Sequence, residues 1–368
     1  MIRRLRCALP PGRFGCARFA LALAVGAGGG WLFARLSLPL PWMLGSMAAC
    51  TLAALLRAPI GAPSAVRPPM QMIIGVLLGA GFTPEVLGSL SGWIPTLAGL
   101  ALFVLACGAI CTVYFRKVGR LDPVSAYFAG MPGGLIEMVA LGEQRGGDAR
   151  TIALVHSARI LLIVFALPFL ASVLTGVDIG ARPATGLSVL DTPWDSEVWL
   201  VATALAGGLL GRLLRLPAAT LLGPMLASAG VHALGVTGFQ PAYEVVNGAQ
   251  LVLGTAIGCR FAGVARREVL RVLLLTLGSA VLLLALTLLF AALVSRVSAF
   301  GIAPVMLAYS PGGLAEMSLV AVSLQIEVAF VAAHHIARIF LVTACASTVF
   351  RILGRRSAAG DGSARRPS

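Results

Sequence analysis

Met131–Met138 reads MPGGLIEM, and Ser310–Met317 reads SPGGLAEM. In each stretch a Pro-Gly-Gly break interrupts apolar sequence, and a glutamate (Glu137, Glu316) follows three residues after the second glycine. Proline lacks the N–H that an interior helical turn needs, and paired glycine admits backbone geometry that other residues resist. Each stretch therefore predicts one helix ending and a second beginning. The sequence surrounding both breaks decides where those ends lie.

That surrounding sequence is lipid-like. Hydrophobic residues make up 58% of the 368 residues and charged residues 11%, against about 25% charged in a soluble domain. The apolar runs are long and unbroken rather than alternating, which excludes transmembrane strands and points to helices. The net charge of +14 includes a single lysine, Lys117, and nearly all basic residues lie between apolar runs. That placement reads as topology signalling rather than nucleic-acid binding. Seven cysteines are an odd number without a C-x-x-C pair, and they suggest neither a disulfide framework nor a metal site.

The two breaks belong to an internal duplication. At an offset of 179 residues, Gln71 pairs with Gln250, Gly75 with Gly254, Gly79 with Gly258, Pro132 with Pro311, Glu137 with Glu316, His156 with His335 and Arg159 with Arg338. At an offset of 178, Gly29-Gly30, Pro39, Gly45 and Met47 pair with Gly207-Gly208, Pro217, Gly223 and Met225. Each unit holds five apolar spans plus the broken segment. The expected spans are 18–34, 42–57, 69–84, 93–115 and 151–174, then 197–211, 218–234, 246–260, 272–295 and 328–350. The expected organisation is a basic tail at 1–17, repeat one at 18–175, a linker at 176–196, repeat two at 197–353 and a disordered basic tail at 354–368.

Charge decides how the broken segments run. If both cross fully, nine basic residues fall on the side opposite the N-terminus and 17 on the same side. If each enters and leaves on one face, three (Arg35, Arg182, Arg296) fall opposite and 23 on the N-terminal side. The second arrangement obeys the positive-inside rule. It makes the fold class an all-α integral membrane protein of about ten transmembrane helices, built as two inverted five-helix repeats. Each repeat carries a re-entrant PGG helical hairpin. Both termini are expected in the cytoplasm and the linker outside it.

Inverted repeats with interrupted helices are a transporter architecture, with the site near the bilayer midplane. The residues expected there are Pro132, Gly133, Gly134 and Glu137 with Pro311, Gly312, Gly313 and Glu316, joined by the H-x-x-R pairs His156/Arg159 and His335/Arg338. A spacing of three puts each His and Arg on one helical face. An acid inside a membrane is costly and serves as a proton carrier or cation ligand. The expectation is that the two arginines pair with the two glutamates or with a bound anion, the bland alternative being snorkelling to the interface. His334 is a secondary candidate. Gln71 and Gln250 are others, though inter-helix hydrogen bonding explains an amide on a glycine-rich helix equally well. His334 and Tyr309 stand where the first unit has Val155 and Gly130, so Glu316 is expected to be the more sensitive acid.

The duplicated PGGL-x-EM segments, each followed by H-x-x-R, resemble the AbrB-type bacterial inner-membrane proteins over about residues 20–350. The resemblance implies a multi-span inner (plasma) membrane protein, and it carries the labels regulator of gene expression and ammonia monooxygenase. Three functions follow. A monooxygenase needs a metal centre, and four histidines without ligand spacing do not supply one. A direct regulator needs an effector domain beyond the short tails. A secondary transporter of a small, anionic solute coupled to protons or sodium fits best, with regulation of gene expression, direct or through a transported metabolite, as the alternative. No enzymatic activity and no cofactor are expected. The expected partners are the bilayer and a small-molecule or ion substrate, with no nucleic acid; a homo-oligomer is compatible.

Overall fold

The computed structural model describes residues 13–88, 90–176 and 186–344. The expected tail at 354–368, most of the tail at 1–17 and residues 177–185 of the linker lie outside the described residues. Among the described residues the chain is helical, with no strand. The first unit comprises α1 (Arg13–Arg35), α2 (Ser46–Leu55, entered through a π-turn at Pro41–Gly45), α3 (Arg67–Gly79), the short α4 (Pro84–Gly88), α5 (Ile94–Lys117), α6 (Pro123–Gly130), α7 (Leu135–Gln144) and α8 (Ala149–Thr175). The second comprises α9 (Trp194–Leu213), α10 (Ala219–Ala233), α11 (Tyr243–Gly258), α12 (Arg266–Val294), α13 (Ile302–Tyr309) and α14 (Leu314–Leu324), followed by α15 (Val328–Ala344).

Among the described residues, four helices are long and apolar enough to cross a membrane: Gly15–Arg35, Leu90–Lys117, Ala149–Thr175 and Arg266–Val294. Their leucines and valines lie open on the outer surface, among them Leu102, Leu105, Leu274 and Val281. Lipid tolerates such a surface and water does not. The remaining expected spans are built differently. With 10, 13, 15 and 16 residues, α2, α3, α10 and α11 rise about 15–24 Å at 1.5 Å per residue, short of a core of about 30 Å. The helix α9 reaches 20 residues but carries Asp195, Glu197 and Arg212.

The short helices cross the units. A Cβ on Gly75 would meet Pro224 and Met225, and one on Gly79 would meet Ser228 and Ala229, so α3 and α10 run parallel with backbones in contact. A Cβ on Gly254 would meet Met43 and Ser46, and one on Gly258 would meet Cys50, Met47 and Thr51, so α11 runs parallel to α2. The glycines expected to permit close packing do so here through space for the partner's backbone.

The counterpart helices α5 and α12 run the opposite way to one another. Gly99 near the start of α5 packs against Val294 at the end of α12, while the Tyr114 hydroxyl near the end of α5 donates to the Leu275 carbonyl at 3.0 Å. Starts also meet starts: Arg150 on α8 pairs with Glu268 on α12 at 2.7 Å. At the other end, Ser188 and the Val189 amide of the linker donate to Glu244 on α11 at 2.7 and 3.0 Å.

Candidate functional site

The breaks fall where the sequence places them. Asp122 caps α6, accepting from the Ser125 amide at 2.9 Å with Pro123 in the first turn, and α6 ends at Gly130 ahead of the PGG turn. The second helix of each pair starts from an extended glycine, Gly134 (φ −66°) or Gly313 (φ −75°), without a side-chain cap. The glycines were expected to supply special backbone angles, and these two do not: any residue adopts those values. What glycine supplies there is space beside flexible side chains. A Cβ on Gly133 would meet the sulfur of Met138 and one on Gly312 that of Met317, each at 2.9 Å. At Gly134 and Gly313 the obstacle would be the carboxylate of Glu137 or Glu316, which folds back over the start of its own helix. Negative charge is favoured there by the unpaired N–H groups of the first turn.

The arginines do something else. Arg159 is 3% exposed and Arg338 5%, and neither forms an ion pair with Glu137 or Glu316 among the described residues. Arg159 donates to the carbonyls of Met131 at 3.0 Å and Ala129 at 3.5 Å. Arg338 donates to the carbonyls of Ser310 and, at 2.7 Å, Gly312. Ala129 lies in the last turn of α6, Met131 and Ser310 are the residues that close α6 and α13, and Gly312 lies in the turn itself. The expected Arg–Glu pairing is thus replaced by a guanidinium capping the C-terminal end of each broken helix, where a cation is favoured. The fork geometry of arginine explains the choice, since one side chain serves two carbonyls.

The two guanidiniums lie within electrostatic reach of each other and of the buried thiol of Cys107 on α5, as Arg159 does of Cys111. Each keeps a buried Nε without a partner. The histidines differ between units. His156 donates through Nδ1 to the Ile152 carbonyl at 3.0 Å, leaving Nε2 buried without a hydrogen bond. His335 donates through Nε2 to the Leu307 carbonyl and accepts from Arg338 at Nδ1, both at 3.0 Å. The acceptors thus assign opposite neutral tautomers to the two rings.

His334 and Tyr309 do not approach Glu316 through any hydrogen bond. They form a separate buried network in which Tyr309 donates to the Thr96 carbonyl, and the Thr96 hydroxyl meets His334 Nε2 at 2.8 Å. Gln71 accepts from Thr220 on α10 at 2.8 Å, the inter-helix bond that was the plainer reading, and Gln250 is buried. Sequence reasoning missed Arg260, which donates to Ser157 on α8 at 3.3 Å. The signal was available: Arg260 stands opposite Gly81 in the duplication, a charge that one unit has and the other lacks. No group of three or more metal-ligating side chains occurs among the described residues.

A family model described as "Transition state regulatory protein AbrB" matches residues 42–354. The chain is similar to "Uncharacterized protein YhjN" of Bacillus subtilis (strain 168), 29% identical over 353 residues, covering 90% of this chain and 92% of that protein. It is also similar to "Putative regulator AbrB" of Escherichia coli (strain K12), 25% identical over 328 residues, covering 87% and 92% respectively.

Proposed function

The chain belongs to the AbrB family, and from that premise we propose that it is a bacterial inner-membrane secondary transporter for a small anionic solute. One observation carries the reading: each broken helix is held open by a buried arginine from the helix that follows, twice over, and neither arginine is ion-paired with an acid among the described residues. Irregular backbone at membrane depth survives only where protein or a water-filled cavity satisfies it, and the arginines satisfy it here. Their surplus positive charge favours an anion, and the uncapped starts of α7 and α14 favour one as well.

On this reading the spans form two inverted five-helix units with two hairpins re-entering from opposite faces, both termini cytoplasmic and the linker extracytoplasmic. The opposed directions of α5 and α12 support it, because those helices are duplicates of one another. The meeting of the starts of α8 and α12 is consistent with it, since parallel repeats with re-entrant hairpins would place them on opposite faces. Glu137 and Glu316 act as exchangeable charges at the hairpin tips, coupling solute movement to protons or sodium. The protein works without catalysis or a cofactor, in lipid, alone or as a homo-oligomer. The family's description and the name "Putative regulator AbrB" favour a second reading, in which gene expression responds to the metabolite moved.

The test is flux in proteoliposomes: purified protein, a panel of labelled carboxylates and phosphates, and imposed pH or sodium gradients. Accumulation or counterflow above empty liposomes supports the reading. Monodisperse protein that moves none of the panel under any gradient overturns it.

A further inference from the structure

Of the four histidines, one has both ring nitrogens against groups that can only accept. His232, in the last turn of α10, is 7% exposed. Its Nδ1 lies 2.8 Å from the Ser228 carbonyl and its Nε2 2.8 Å from the Phe239 carbonyl. The Ser228 hydroxyl also approaches Nδ1, at 3.4 Å, but its proton goes to the Val76 carbonyl on α3 at 2.8 Å. No donor is left to serve a bare ring nitrogen. A neutral imidazole carries one N–H and the imidazolium two, so only the imidazolium makes both bonds. Each of the other histidines has a neutral form that fits. His156 leaves Nε2 unbonded, His334 has the Thr96 hydroxyl at Nε2, and His335 has the Arg338 guanidinium at Nδ1.

The bond to Phe239 closes a loop. Residues 234–242 join α10 to α11. Phe239 is buried with Val76 of α3 and Leu200 of α9 in a small apolar cluster apart from the main core, and Trp199 stacks on it at 6.3 Å. The elements packed on α10 bring Glu85 of α4 and Asp195 and Glu197 of α9 to this end, while Arg67 of α3 and Arg212 of α9 lie at the opposite one. Tyr243 and Glu244 open α11 just past the loop. Among the described residues none of these pairs with the ring. The C-terminal end of α10 itself favours a cation. At the counterpart of His232 the first unit has alanine, Ala54 at the offset of 178 or Ala53 at 179.

We propose that His232 is a proton-binding site whose second ring proton latches the α10–α11 loop onto the end of α10. The inference goes beyond the transport reading and does not depend on it. With that proton lost, one ring nitrogen turns a lone pair toward a carbonyl 2.8 Å away, and a buried acceptor loses its donor. The contact that separates is the one across the loop, because the Ser228 bond lies within a single helical turn. Proton binding and loop docking thus favour each other: docking is strongest on the acid side of the His232 titration and is lost as pH rises through it. Release frees Phe239 from Val76 and Leu200, so the packing of α3 on α9 and α10, where the two units meet, responds to protons at this end alone.

The experiment is nuclear magnetic resonance of the full chain in detergent, labelled with nitrogen-15 histidine, with the His232 signals assigned by their loss in His232→Gln. Amide exchange of residues 238–240 is followed over the same pH series and corrected for its intrinsic rate. Both His232 nitrogens are expected to carry protons wherever the loop is protected. Loop exchange should rise by about tenfold or more as the second proton leaves, a change of about 1.4 kcal/mol per tenfold. His232→Gln should exchange at the raised rate at every pH, whereas Gln240→Ala, at an exposed loop position, should keep the wild-type pH dependence. Exchange in α12 should match across all variants, which separates loss of the latch from loss of the fold; if His232→Gln loosens α12 as well, the wild-type pH series decides. A neutral His232 beneath a protected loop overturns the latch, as does loop exchange that ignores the His232 titration. A protected loop in a folded His232→Gln does the same. None of these readouts involves flux, so the latch and the transport reading stand or fall separately.

Discussion

Replacing Arg338 with glutamine deletes the cap on α13 and should expose how much that cap contributes. The carbonyls of Ser310 and Gly312 lose their donor, and His335 loses the one that serves Nδ1. A buried acceptor left without a partner costs about 1–3 kcal/mol, so the two carbonyls together set a range of about 2–6 kcal/mol. Two effects act against it. Relief of the repulsion from Arg159 returns part of the cost, and inter-helix hydrogen bonds measured in membranes average only about 0.6 kcal/mol. The break decides the balance: these carbonyls have no helical N–H to fall back on, so a loss near 3 kcal/mol is expected, or about 6 °C in melting temperature at the low end of the usual conversion. Arg159→Gln should cost less, because one of its two bonds is already stretched to 3.5 Å. Unfolding of purified protein, scanned at one rate in one detergent, reads both. A wild-type melting temperature for Arg338→Gln, or a larger loss for Arg159→Gln than for Arg338→Gln, would refute the capping argument.

Gly79→Ala should drive α3 from α10, because its Cβ would lie 2.8 Å from the Ala229 backbone nitrogen, whereas Gly230→Ala meets nothing within 4 Å; the monodisperse fraction on gel filtration should fall for the first and not the second. A cysteine at Leu190, 94% exposed, in a background free of native cysteines should react with an impermeant maleimide in intact cells, and labelling only after permeabilisation would reverse the topology. Desolvation works to raise the Glu244 carboxyl, but hydrogen bonds from Ser188 and Val189 outweigh it and hold the carboxyl below the usual glutamate value. The linker anchor is therefore present above the unfolded-state value and lost as pH falls through the folded one. Val189 amide exchange, corrected for its intrinsic rate, should accelerate over that acidic window and in Glu244→Gln at neutral pH. Glu137→Gln should insert normally and lose ion-driven accumulation while keeping exchange; unchanged accumulation at equal abundance would make that acid structural.

Much of this architecture was legible because duplication doubles every signal. PGG twice, H-x-x-R twice and glycines at a fixed offset locate the breaks, the capping helices and the crossing points. What stayed hidden depends on direction rather than identity. An H-x-x-R pair states that a cation needs a partner, but not whether that partner is a carboxylate or a bare carbonyl, and only the fold shows the guanidiniums turned back toward α6 and α13. Span lengths were overread for a related reason. Hydropathy runs continue through the turns flanking α3 and α10, so apolarity alone does not reveal that the regular helix stops at 13 and 15 residues. Tyr309 and His334 stand out as departures from the duplication and suggest a more sensitive Glu316, whereas both reach across to α5.

The crossing of α3 with α10 and of α2 with α11 bears on how the chain is made. A ribosome completes the first unit long before α10 and α11 exist. Until then, the glycine stripe of α3 and the small-residue face of α2 lack the partners they are shaped for, on helices too short to stand alone across the bilayer. The insertion machinery must therefore hold half a protein in waiting. Two separately translated halves should find one another in the membrane, while either half by itself should be a substrate for quality-control proteolysis.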